Sequence, residues 1–199
     1  MHSSSFFPSP EPDEEPERFA SPPWFQPPED EYPLRVPVRE FLARSDRTSV
    51  SVSHVDVFST GILIASEWDV RRVDEPQREW QVALQMGSFY GHGADPESML
   101  RFGLALADGT VVTTLDRMNV RDAFTTAPKG WSLMERGGGG GGGDSHYNGT
   151  SGLWLWPLPP AGPIELVAEW RERSIPESRI VLDGTAILAA VQRVRSLWD

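Results

Sequence analysis

The stretch Leu153-Trp154-Leu155-Trp156-Pro157-Leu158-Pro159-Pro160-Ala161-Gly162-Pro163 decides the architecture. Successive side chains of a strand point to opposite faces, so Leu153 and Leu155 take one face and Trp154 and Trp156 the other. Both faces are large and apolar, which predicts a strand covered on both sides, by an opposing sheet and by the last helix. Pro157, Pro159 and Pro160 forbid its continuation. Downstream, Ile164, Leu166, Ala168 and Trp170 share one strand face opposite Glu165 and Glu169, and Arg179 to Leu182 makes another short strand. Asp183-Gly184-Thr185 then offers a helix start, with Ile187, Leu188, Val191, Val194 and Trp198 at helical spacing on one stripe.

Working back toward the N-terminus, period-two patterns recur. The folded region opens with Leu34 to Val38 and Thr48 to Phe58. Val50 and Val52 hold one parity and Val55 and Val57 the other, and this switch at His54 predicts a bulge or a bend. Ile62 to Val73 reads as a half-buried strand with Ile62, Ile64, Trp68 and Val70 inward. Leu100, Phe102, Leu104 and Leu106 alternate before Asp108-Gly109, a strong hairpin signal, and Thr110 to Leu115 returns. Pro76 to Gln85 reads as a short helix or an edge strand, Gly87 to Pro96 as a loop around His92, and residues 116–130 as a loop. Trp131 to Met134 is a short strand before seven consecutive glycines, Gly137 to Gly143, which read as a flexible connector spanning 136–146. Many short strands closed by one helix define a mainly β protein, an antiparallel β-sandwich or flattened barrel with a C-terminal amphipathic helix.

At 199 residues with 39% hydrophobic content, the chain holds one domain, residues 34–199, and a tail, residues 1–33. The absence of cysteine removes thiol nucleophiles, zinc–thiolate sites and disulfides, and fits a cytoplasmic setting. No segment approaches the roughly 18 apolar residues of a membrane span, and no signal peptide is visible, so the expectation is a cytoplasmic protein. Asn148-Gly149-Thr150 matches a glycosylation sequon but reads as an unmodified turn. The tail carries eight acids against Arg18 alone, leaving −4 of the net −11 for the domain, so nucleic acid is not an expected partner. The tail is expected to be mostly disordered. Its exception is Trp24-Phe25 between the pairs Pro22-Pro23 and Pro27-Pro28, an extended arm for its own domain or for a partner.

Chemistry-bearing residues are sparse. The glycine run lacks the Lys-Ser/Thr ending of a phosphate loop, since Asp144 follows it. His54 and Asp56 share a strand face, but further metal ligands are not identifiable, so neither a metal nor a cofactor is expected. His92 and His146 lie in glycine-rich loops without a visible nucleophile or carboxylate partner, and no catalytic residue is assigned. Trp68, Trp154, Trp156, Trp170 and Trp198 fall on apolar faces and read as core, whereas Trp24 and Trp80 are the candidate exposed anchors. The candidate binding residues are therefore Trp24, Phe25, Trp80, His92 and His146.

Several segments together carry a resemblance: Pro22-Pro23-Trp24-Phe25 through Pro27-Pro28-Glu29-Asp30-Glu31, Ser59-Thr60-Gly61, Leu100-Arg101-Phe102-Gly103 with Ala107-Asp108-Gly109, the glycine run, Trp154 to Pro163, and Glu169-Trp170 with Ile175-Pro176-Glu177. In these the chain resembles, over most of residues 20–198, a family of small actinobacterial proteins without an established activity. The resemblance implies a cytoplasmic bacterial protein and carries over no site residue. The functional expectation is a non-enzymatic protein-interaction module with a protein partner. The alternatives are a small-ligand or carbohydrate-binding β-sandwich and, third, a hydrolase with a site near His92 and His146. The oligomeric state is left open.

Overall fold

A computed structural model describes residues 21–86, 99–116 and 124–198, with the backbone alone at 82–86. In chain order the elements are β1 (Glu31–Tyr32), β2 (Leu34–Arg44), β3 (Thr48–Val57), β4 (Ile62–Arg71), α1 (Gln77–Met86), β5 (Arg101–Ala105), β6 (Val111–Thr113), β7 (Ser132–Gly142), β8 (His146–Trp156), β9 (Pro163–Trp170), β10 (Ile175–Asp183), α2 (Gly184–Val191) and β11 (Arg195–Ser196). Two antiparallel sheets carry the fold and do not close into a barrel: a five-stranded sheet in the order β2-β3-β4-β8-β7 and a four-stranded sheet in the order β10-β9-β5-β6. The mainly β sandwich reading is therefore correct.

The alternating apolar residues of both sheets make one core. Val50, Val52, Ile62, Ile64, Leu153 and Leu155 from the larger sheet, and Phe102, Leu104, Ile164, Leu166 and Trp170 from the smaller, are all buried in it. Burying each such side chain contributes about 1.5–3 kcal/mol. The parity switch of β3 is the expected bulge, with the pairing to β4 shifting register between Val52 and His54. The Asp108-Gly109 hairpin also forms: Gly109 sits at φ 85 and Thr110 N–H donates to Asp108 Oδ1 at 2.9 Å. Asp183 caps α2, accepting from Ala186 N–H at 3.0 Å.

Four expectations are corrected by the packing. First, the glycine run is not a loose connector, because Gly139 to Gly142 pair with Thr150 to Tyr147 as the edge of the larger sheet. A bulge at Gly137 and Gly138, with φ 60 and 120, precedes that pairing. Its hairpin tip is pinned from outside: Trp80 Nε1 donates to the Gly143 carbonyl at 2.7 Å, and Arg72 Nη1 donates to the Asp144 carbonyl at 3.2 Å. The same pairing draws Asn148-Gly149-Thr150 into the interior of β8 rather than a turn.

Second, the outer face of the tryptophan-rich strand is covered by the N-terminal arm and not by the last helix. Trp154 is wholly buried with its indole N–H donating to the Pro23 carbonyl at 3.1 Å. Residues 21–33 thus belong to the fold, and only residues 1–20 of the expected tail lie outside the described residues.

Third, the last helix ends at Val191, before the predicted stripe is complete, and Trp198 is 81% exposed rather than core. The chain instead turns so that β11 pairs with β1, and Leu197 N–H donates to the Asp30 carbonyl at 2.7 Å. Fourth, the ambiguous segment after Pro76 is the helix α1, which places Trp80 in the core at 2% exposure and not on the surface. The loop expected at 87–96 lies outside the described residues.

Candidate functional site

The solvent face of the four-stranded sheet carries a trough built from all four of its strands. Cross-strand register builds it row by row. Glu169 of β9 stands opposite Arg101 of β5; Arg179 of β10, Val167, Gly103 and Thr113 form the next row; Val181, Glu165, Ala105 and Val111 form the third. The inward residues between them, Phe102, Leu104, Leu166 and Ala168, are core, so strand alternation commits this set to the outside.

Across this face all four strands line a shallow trough of about 460 Å³, with the small Gly103 and Ala105 of β5 beside the longer Glu165 and Glu169 of β9 and Arg179 of β10. Exposed apolar residues flank it: Val111 at 67%, Val181 at 64% and Leu115 at its end.

The charges on this face are matched. Glu169 accepts from Arg171 Nε at 2.7 Å and from Arg101 Nη2, while Arg179 bridges Glu165 at 3.1 Å and Glu177 at 2.5 Å. The hydrogen bond from Arg171, with the charges of Arg101 and Arg171 behind it, holds the Glu169 carboxyl below the usual range despite opposing desolvation. Three arginines and three glutamates make the face neutral on a chain of net charge −11. The carboxylates of β9 and Arg101 of β5 stand on the two central strands, and the exposed Val181 and Val111 stand on the outer ones.

The residues singled out from sequence lie elsewhere and do not converge here. Trp24 packs edge-on against Trp156 with ring centroids 6.0 Å apart. Phe25 stacks on Phe124 at 3.9 Å, lies under the Arg136 guanidinium at 3.7 Å, and its carbonyl accepts from Arg136 Nε. Both are half-buried against their own domain. Trp80 is internal, His92 lies outside the described residues, and His146 is exposed on β8 with its Nε2 3.0 Å from Asp69 Oδ1.

The His54 and Asp56 pair belongs to the opposite surface, the outer face of the larger sheet. Arg35 clamps both carboxylate oxygens of Asp56, at 2.8 and 2.9 Å. His54 Nε2 stands 3.4 Å from that carboxylate, while its Nδ1 is 2.9 Å from Ser53 Oγ. The carboxylate is committed to arginine, and the imidazole contact is longer than a normal hydrogen bond, so the arrangement is a clamp of β2 on β3 at the bulge. Among the described residues no cluster of three or more His, Asp or Glu is placed to hold a metal. No helix among them is long and apolar enough to cross a membrane.

Sequence reading passed over Arg101, Gly103, Glu165, Val167, Glu169 and Arg179 because each looks like an ordinary outward strand position. The available signal was the pair of small outward residues on β5, Gly103 and Ala105, beside the charged or bulky outward residues of β9. No family model matches the chain, and neither the curated proteins nor the solved structures give a match.

Proposed function

We propose that this chain is a non-enzymatic protein-interaction module of the bacterial cytoplasm that makes its contact through the solvent face of the four-stranded sheet. The observation that carries the reading is the trough itself, lined by Gly103, Ala105, Val167, Val111 and Leu115 and neutralised by its own ion pairs, with Val181 exposed on the same face. The arm of Trp24 and Phe25, read from sequence as lying on its own domain or on a partner, packs within the chain. The test is affinity purification of the tagged chain beside a Val111→Asp, Val181→Asp variant, which keeps the core intact. Loss of a specific partner with the variant supports the reading; an identical set of partners for both proteins defeats it.

A second reading has one observation in its favour: about 460 Å³ lies within the range of roughly 300–1,000 Å³ typical of small-ligand sites. A thermal-shift panel of small molecules and sugars tests it, a hit abolished by Gly103→Val being the supporting outcome.

A further inference from the structure

We infer that the partner of this face is a second copy of the chain, packed isologously about a twofold axis running between β9 and β5; the inference rests on the reading just given. The sheet has four strands in the order β10-β9-β5-β6, so its midline falls between β9 and β5. A twofold axis along that midline, lying in the interface, sets β10 over the partner's β6 and β9 over the partner's β5. By the register, Val167 then faces Gly103 of the second copy, Glu165 faces Ala105, Val181 faces Val111, Arg179 faces Thr113, and Glu169 faces Arg101. Every row sets a larger side chain over a smaller one, two valines together, or a carboxylate over a guanidinium. The trough is the space that the partner's β9 fills.

Charge argues the same way. Two copies of a chain at −11 repel, and a face of three arginines and three glutamates adds nothing to that repulsion. The twofold relation also makes the Glu169 to Arg101 contact twice. With strands about 4.8 Å apart and a rise of about 3.3 Å per residue, the face measures roughly 19 by 20 Å, or about 400 Å² per copy. Stable complexes bury about 800 Å² per partner, so the dimer is a weak, transient one.

Gly103 provides a clean test, because a Cβ there meets nothing closer than the Val112 carbonyl at 3.4 Å and the fold accepts a side chain, whereas the second copy's Val167 does not. Sedimentation velocity from about 1 µM to 1 mM should show a monomer–dimer equilibrium in the wild type. Gly103→Val should weaken it at least tenfold, and the double variant Gly103→Val, Val167→Gly, which exchanges knob and hole, should restore it. A wild type monomeric throughout, a dimer indifferent to Gly103→Val, or no rescue by the double variant overturns the inference. If the wild type is monomeric while the Val111, Val181 variant still sheds a different protein in the purification above, the partner is not a second copy and the interaction reading itself survives. Circular dichroism melts of each variant verify folding, and a misfolded Gly103→Val is replaced by Ala105→Val at the facing position of Glu165.

Discussion

Trp80 donates its indole N–H to the carbonyl of Gly143, 63 residues further along the chain, at 2.7 Å. The contact explains how a run of seven glycines can hold strand geometry. Glycine loses more backbone entropy on ordering than any other residue, by roughly 0.5–1 kcal/mol against alanine within a strand. A buried tryptophan in α1 fixes the tip, and β8 supplies the ladder.

Replacing Trp80 by phenylalanine should therefore cost about 1 kcal/mol from the lost hydrogen bond, on top of any loss of packing. Trp80→Ala should cost about 3–5 kcal/mol. Urea denaturation measures both. Hydrogen exchange at Gly140 to Gly142 should quicken in Trp80→Phe before the rest of the sheet loosens; uniform protection across the sheet would show that the tip is held by other means.

The arm makes a second prediction. The edge-on contact of Trp24 with Trp156 is worth about 0.5–1.5 kcal/mol beyond its area. Trp24→Ala should destabilise the domain by about 1–3 kcal/mol in chemical denaturation. A free partner-binding anchor would leave stability within about 0.5 kcal/mol of wild type.

These contacts show what was legible in the sequence. Elements with their own periodicity were readable: the inward set of β4, the β5–β6 hairpin and the bulge of β3 all rest on local alternation. Glycine carries no pattern, so the extension of β7 was encoded in its partner strand and in Trp80. The cover on Trp154 was misassigned to the last helix because an apolar face states that it is buried but not by what. The trough was invisible for a related reason, since Arg101 and Glu169 are 68 residues apart and meet only once β5 and β9 are placed side by side.

Acid should weaken the smaller sheet. The Glu169 carboxyl is held below its ordinary value of about 4.3, first by the hydrogen bond from Arg171 and then by its charged neighbours. A depressed folded-state value means the unfolded chain binds the proton more readily. The stabilisation is present above the unfolded value and fades as pH falls through the folded one. Glu169→Gln should lower stability at pH 7 and flatten its decline below about pH 4.5. Denaturation midpoints of both proteins between pH 3 and 7 report this, and parallel curves would show that the pairing on this face contributes nothing to folding.

Two glycines of neighbouring strands separate packing from conformational freedom. Gly149 of β8 lies beneath Trp68: an added Cβ would stand 2.4 Å from the indole ring, within a sheet whose strands cannot move apart without losing their ladder. Gly141 of β7 faces open space on the same sheet, with nothing within 4 Å. Gly149→Ala should therefore destabilise by about 2 kcal/mol or more through overpacking. Gly141→Ala should be neutral or stabilise by up to about 1 kcal/mol, because alanine has less entropy to lose in the unfolded chain. Thermal and urea unfolding of the two single variants decide the matter. If Gly141→Ala costs as much as Gly149→Ala, the edge strand depends on glycine for a reason other than the packing of its own sheet.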